Sequence, residues 1–234
     1  MFPVAILAGG LATRLRPITE TIPKALVDIA GKPFIVRQLE YLREQGIDQV
    51  VLCIGYLGNL IRDAVGNGES FGIKVSYSED GPCLLGTGGA LAKAISLLGD
   101  QFFVLYGDSF LPVDFYAVQA VYENRKPSAL MTILKNQNLW DKSNVHFLNG
   151  EIIEYNKLAP RPEMTYIDYG LGVIASSVLK QYPSGQMLDL ADVYQGLSLQ
   201  GRLAGFEVYE RFYEIGSHTG LKETEEYFLN KEKV

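Results

Sequence analysis

The chain has 234 residues, 47% of them hydrophobic and 21% charged, with a formal net charge of −6. That balance excludes a disordered chain and supplies enough apolar surface for one large core or two small ones. The acidic charge argues against a nucleic acid or an anionic membrane as partner, so an anionic ligand must be held locally, by a few cations, backbone N–H groups or a metal.

Residues 3–8 read as a buried strand. A glycine-rich, cationic loop follows: Ala8-Gly9-Gly10-Leu11-Ala12-Thr13-Arg14-Leu15-Arg16-Pro17, then Ile22-Pro23-Lys24. Residues 33–45 predict a helix with Pro33 in its first turn and Gly46 past its end. Residues 49–54 form a second buried strand and 57–65 a second helix. Residues 73–78 alternate as a strand does, 89–98 read as a helix and 101–106 as another apolar strand. This alternation predicts a mostly parallel sheet flanked by helices, with ligands beyond the C-terminal strand ends. The opening loop and the Gly107-Asp108 turn both fall there. Later strands are expected at 129–134, 145–148, 151–155, 166–175 and 203–208, with a hairpin at Asn149-Gly150. Helices are expected at 188–197 and 219–232. Cys53 and Cys83 lack CxxC spacing and read as reduced structural thiols. The N-terminus has no basic stretch before its apolar run, and no run reaches bilayer length. The expectation is a cytoplasmic protein without signal peptide or membrane span.

Small residues in the first loop expose backbone N–H groups, while Arg14, Arg16 and Lys24 add positive charge. The combination suits a polyphosphate. The loop lacks the Lys-Ser/Thr end of a Walker motif and is not G-x-G-x-x-G, which disfavours a P-loop ATPase and a dinucleotide fold. Asp108 ends a buried strand, where a carboxylate is costly unless it is paired, caps a turn or binds a metal. With only His146 and His218 in the chain, no Ser-His-Asp or Cys-His grouping is evident.

Leu7-Ala8-Gly9-Gly10-x-x-Thr13-Arg14-Leu15-x-Pro17 followed by Pro23-Lys24 resembles the signature of the sugar-1-phosphate nucleotidyltransferases, which usually carry glycine where this chain has Ala12. Leu85-Gly86-Thr87-Gly88-Gly89 is similar to that family's base-recognition segment. Tyr106-Gly107-Asp108 resembles its metal-binding Gly-Asp. Phe212-Tyr213-Glu214-Ile215-Gly216-Ser217 resembles its aromatic-Asp-Ile-Gly-Thr/Ser segment, with Glu214 in the aspartate's place and His218 where proline is frequent. Glu154-x-x-Lys157, Asp168-x-Gly170 and Leu188-Asp189-Leu190 resemble its sugar-facing segments; Leu158 replaces a usual proline.

The resemblance implies an α/β, Rossmann-like three-layer α/β/α sandwich, the nucleotide-diphospho-sugar transferase fold, with a small β-rich lobe. It implies a single nucleotidyltransferase domain over 1–234, its nucleoside triphosphate half near 1–125 and its sugar-phosphate half near 126–234. Nucleotide contacts would come from Leu7, Ala8, Gly9, Gly10, Thr13, Arg14, Lys24, Gly86, Thr87, Gly88, Tyr106 and Gly107. Sugar-phosphate contacts would come from Glu154, Lys157, Asp168, Gly170 and Asp189. Arg14, Lys24 and Asp108 would be catalytic, with Mg²⁺ on Asp108 and Glu214. The partners implied are a nucleoside triphosphate, GTP favoured, and a sugar 1-phosphate; a homo-oligomer is compatible with this. The segment from Phe206 to Gly216, read with Leu85–Leu91, resembles the branch that guanylylates D-glycero-α-D-manno-heptose 1-phosphate for surface polysaccharides. Alternatives are guanylylation of mannose 1-phosphate, uridylylation of a hexose or N-acetylmuramate 1-phosphate, or a catalytically silent regulator. The silent form would be marked by loss of the arginine, lysine or metal carboxylate.

Overall fold

The structure is a computed structural model that describes residues 1–183 and 185–231. It opens with β1 (Val4–Leu7), an all-apolar strand in the interior of the sheet. The loop after it winds through three single 3-10 turns (Thr13–Leu15, Ile18–Glu20, Lys24–Leu26) to a short ribbon, β2 (Asp28–Ile29) and β3 (Lys32–Pro33). Then come α1 (Phe34–Glu44), β4 (Gln49–Ile54), α2 (Gly58–Val65), β5 (Lys74–Glu79), α3 (Gly86–Leu98), β6 (Gln101–Tyr106), β7 (Ser109–Phe110) and α4 (Phe115–Arg125). The second half holds β8 (Ala129–Lys135), β9 (Val145–Leu148), β10 (Glu151–Tyr155), β11 (Tyr166–Ala175), α5 (Ser176–Leu179), α6 (Leu190–Leu199), β12 (Leu203–Val208), β13 (Tyr213–Glu214) and α7 (His218–Lys231).

Nine strands form one sheet in the order β5-β4-β1-β6-β11-β8-β12-β10-β9. The β5-β4-β1-β6 part is parallel. Beyond β6 the sheet is mixed, because β11, β10 and β9 run antiparallel to their neighbours while β12 lies parallel to β8. The expected mostly parallel sheet therefore holds for the first half only: in the second half the β9–β10 hairpin and the antiparallel β11 break the pattern. At its far edge β9 curls back to pair with β11 at Tyr166 and Val145, which gives the second half its β-rich character.

Alternation along the strands sorts side chains into two cores. Ile6, Val50, Leu52, Phe103 and Leu105 face α1, α2 and α4. Ala5, Val51, Cys53, Phe102 and Val104 face α3, α5 and α6. The result is the expected three-layer α/β/α arrangement. A third, smaller cluster of Val27, Ile29, Phe34, Phe110, Ile215 and Phe228 fastens α7 and the β7–β13 ribbon to the loop region. Among the described residues, no helix is long and apolar enough to cross a membrane.

β9, β10, β11 and β12 match their expected bounds, and Asn149 and Gly150 take φ of 52° and 84°, the two positive values of a type I′ turn. Helix α3 starts three residues before Gly89, and α6 starts two after Leu188 because Asp189 caps it. The tail helix begins at His218; its expected end, Glu232, lies outside the described residues. Helix α4 has no counterpart among the expected elements. Its buried residues Phe115, Val118 and Tyr122 lie on one face, but Ala117, Ala120 and Val121 spread apolar character around the rest and blur the period.

Asp114 caps α4 by accepting the Ala117 N–H at 3.0 Å. Asp114→Ala is expected to cost about 1 kcal/mol, lowering the melting midpoint by roughly 2–4 °C in circular-dichroism melts.

Candidate active site

The strand order reverses at β1: the chain builds β4 and β5 on one side, then β6 on the other. In such sheets the crevice opens at the C-terminal end of that strand. Here three loops meet backbone to backbone. The Ala8 N–H donates to the Cys53 carbonyl and the Gly107 N–H to the Leu7 carbonyl, each at 2.9 Å. A Cβ on Gly107 would lie 2.7 Å from the Leu7 oxygen, and one on Gly55 2.8 Å from the Gly9 oxygen. Only glycine permits this approach.

A cavity of about 210 Å³ opens above these loops. Leu7, Ala8, Gly9, Gly10, Lys24, Gly86, Thr87, Tyr106, Gly107 and Asp108 line it. Thr13, Arg14 and Gly88 are not in its wall. Residues that sequence reasoning missed also line it: Cys53, Asp80, Leu84 and Ala90. Asp80 directly follows β5, so the strand-end rule that pointed to Asp108 points to it as well. Burial raises the Asp80 carboxyl, against the Leu85 N–H and Lys93, which lower it. Burial also pushes the Cys53 thiol up to about 12, so it stays protonated.

At one end of the cavity Lys24 Nζ donates to Asp108 Oδ2 at 2.8 Å. The β7–β13 ribbon brings Glu214 opposite Ser109, and the Ile215 N–H donates to the Asp108 carbonyl at 2.9 Å. Glu214, Arg14 and Asp108 converge around Gly216. A Cβ there would lie 2.5 Å from Glu214 Oε2 and 3.4 Å from both Arg14 Nη2 and Asp108 Oδ2. Glu214 accepts hydrogen bonds from the Gly216 N–H and from Ser217 Oγ, at the start of α7. His218 is exposed on the first turn of that helix.

Two carboxylates here form an all-oxygen donor pair, and each Glu214 oxygen keeps a lone pair beyond its protein bond. That fits Mg²⁺, which takes one or two carboxylates and completes its shell with waters and substrate phosphates. Among the described residues there is no group of three or more His, Cys, Asp or Glu able to hold a metal alone.

At the other end α3 packs on the segment before α6. The Leu188 carbonyl accepts the N–H groups of Gly88 and Gly89 at 2.9 and 3.1 Å. Thr87 Oγ1 donates to Asp189 Oδ1 and accepts the Leu190 N–H. Asp189 also caps α6 through the Ala191 N–H. Gly88 and Asp189 thus hold the wall from behind.

Of the remaining expected residues, Gly170 and Asp168 lie beside Tyr106. A bulge in β11 between Asp168 and Gly172 places Gly170, φ 104°, against Tyr106 and Leu111. Asp168 Oδ1 accepts the Gly170 N–H at 3.0 Å. Burial pushes the Asp168 carboxyl up to about 6, although that N–H and Lys157 both pull it down. Glu154 is buried and ion-paired with Arg161, a residue the motifs did not include. Asn144, also missed, ties the two strands: its carbonyl accepts the Asn156 N–H and its Oδ1 the Asp168 N–H.

The sequence pattern of the nucleotidyl transferase family matches residues 4–140. An N-acetylmuramate α-1-phosphate uridylyltransferase of Neisseria meningitidis is 32% identical over 226 residues, covering 94% of this chain and 95% of that protein. A D-glycero-α-D-manno-heptose 1-phosphate guanylyltransferase of Campylobacter jejuni is 37% identical over 138 residues, covering 58% of this chain and 59% of that protein. The crystal structure of HddC from Yersinia pseudotuberculosis complexed with GMP-PN superposes with a TM-score of 0.83 at 26% identity, covering 97% of this chain and 100% of that one.

An acid whose folded value is raised from 3.8 to about 6 binds its proton more tightly folded than unfolded. Its ionisation therefore lowers stability as pH rises through that window, with the full loss above it. Asp168→Asn is expected to raise the melting midpoint at pH 7.5 by a few degrees. The gain should vanish near pH 4; an equal gain at both pH values in thermal melts would contradict this.

Proposed function

The chain belongs to the nucleotidyl transferase family, and we propose that its site joins a nucleoside triphosphate to a sugar 1-phosphate. A phosphate oxygen of the sugar attacks the α-phosphorus in line. The new P–O bond forms as the bond to the β-phosphate breaks, and pyrophosphate leaves with the electron pair. No protein nucleophile is needed; the work is positioning and charge neutralisation. The observation that carries this reading is the Lys24–Asp108 contact at the mouth of a glycine-walled cavity, at the reversal of strand order, with Arg14 and Glu214 beside it.

Arg14, outside the cavity wall, is suited to hold the departing pyrophosphate. Lys24 and Lys157 draw in the incoming phosphate. Asp168, Gly170 and Glu154 belong to the side where the sugar would lie; the Gly86-Thr87 end, with Asp189 behind it, accepts the base. Asp108 and Glu214 would hold Mg²⁺, which when bound supplies charge neutralisation to the reacting phosphates.

For specificity we favour GTP and D-glycero-α-D-manno-heptose 1-phosphate, giving a GDP-heptose for surface polysaccharides. The Campylobacter relative and the GMP-PN-bound Yersinia structure support it. The second reading, uridylyl transfer to N-acetylmuramate 1-phosphate, is favoured by the near-complete coverage of the Neisseria relative. Pyrophosphate release measured for each nucleoside triphosphate against a panel of sugar 1-phosphates separates them. A preference for UTP with N-acetylmuramate 1-phosphate would select the second. Binding without release would point to the silent regulator.

Asp108→Asn and Lys24→Ala are each expected to lower turnover at least about 100-fold in the same assay without unfolding the protein. Near-normal turnover by either would remove that residue from the mechanism.

A further inference from the structure

We propose that Gln38, which no motif singled out, is a positioning residue for Asp108. It acts through the turn that carries Asp108, and the proposal rests on the reading of Asp108 above. Gln38 projects from the buried face of α1 and is 2% exposed. Its Nε2 donates to the Tyr106 carbonyl at 3.0 Å and to the Ser109 carbonyl at 2.8 Å. Those two carbonyls flank Gly107-Asp108, so one amide group closes the turn across its base. Backbone bonds also hold the turn, from the Gly107 N–H to Leu7 and from the Ile215 N–H to the Asp108 carbonyl, while Lys24 Nζ and Ser109 Oγ bond the Asp108 carboxylate itself. Gln38 grips the turn through its backbone, so substituting it can loosen the turn without altering the bonds to the Asp108 carboxylate.

The choice of residue type strengthens the inference. Gln38 Oε1 is buried without a partner among the described residues, an unfavourable setting for a polar atom. Gln38 borders a void of about 10 Å³ whose other neighbours include Leu42, Leu105, Phe110, Leu111 and Phe115. In such surroundings methionine or leucine would fill the space with no orphaned oxygen. What glutamine adds is two donors, and both go to the turn. The orientation is fixed as well, because a flipped amide would set its oxygen against two carbonyl oxygens.

Displacing a catalytic group by about 1 Å can cost 100-fold in rate, and Asp108 stands 2.8 Å from Lys24. The Gly86-Thr87 end of the cavity is built on α3 and α6, so loosening the turn should affect turnover more than nucleotide affinity.

The test compares wild type with Gln38→Met, which fills similar volume without donors. Leu39→Ala serves as a control, since it destabilises the same helix without touching the turn. Turnover, the KM for the nucleoside triphosphate, the melting midpoint and amide hydrogen exchange are measured for each. Gln38→Met is expected to lower kcat about tenfold or more with KM within about twofold. Exchange should quicken in peptides spanning 106–110 and stay unchanged at 203–208. Leu39→Ala should lower the melting midpoint but leave kcat within about twofold. The proposal fails if folded Gln38→Met turns over like wild type, if Leu39→Ala loses as much kcat, or if exchange quickens throughout. Should wild type release no pyrophosphate with any substrate pair, the functional reading falls. Exchange then decides the clamp alone: local quickening at 106–110 supports it and no change overturns it.

Discussion

The site depends on a steric condition at the ends of three neighbouring strands. Gly9, Gly55 and Gly107 bring the loops after β1, β4 and β6 so close that a methyl group on Gly55 or Gly107 would strike carbonyl oxygens. The first loop, having crossed this point, carries Lys24 back over the crevice. The third carries Asp108 to meet it. The charged contact between them is thus a product of backbone proximity. It is reinforced by Gln38 from below and by the β7–β13 ribbon from the side. The third hydrophobic cluster then docks α7 so that Glu214 and Gly216 reach the same spot.

Around this point the protein tolerates unfavourable groups. Ala12 sits in the left-handed region, φ 47°, where the resembled family usually has glycine. That backbone costs a non-glycine residue about 1 kcal/mol. Its carbonyl accepts the Thr19 hydroxyl and the Leu15 N–H, which hold the loop in place regardless. Asp168 is a half-buried acid whose carboxyl is held up by desolvation despite Lys157, and Gln38 keeps an orphaned oxygen. Such costs gather where a fold serves ligands in place of its own stability.

Much of this was legible in the chain. The alternation of apolar runs located the strands, because period-2 burial and buried parallel strands leave strong local patterns. The glycine-rich loop and the Gly107-Asp108 turn were legible because strand ends concentrate the chemistry. Helix α4 escaped because apolar residues surround it. Asp80 ends a strand as Asp108 does and was legible by the same rule, though overlooked; Asn144, Arg161 and Gln38 escaped for another reason. Each matters through contacts with segments brought near by the fold, and nothing in the flanking sequence marks an asparagine that will tie β10 to β11. Glu214 is intermediate: its motif located it, but only the structure reveals that it also binds the start of α7.

The wall behind Thr87 has a consequence for how such proteins diversify. The α3 segment from Gly86 to Gly89 and the Gln186–Leu190 segment share hydrogen bonds. They pack so tightly that a Cβ on Gly86 or Gly89 would lie 2.6 Å from the Leu188 or Gln186 oxygen. The two stretches are about a hundred residues apart in sequence and borrow their shape from each other. A chimera that imported one from a relative would mismatch the other. Recombination, natural or engineered, has to move them as a linked pair, so the start of α3 and the cap of α6 are inherited together.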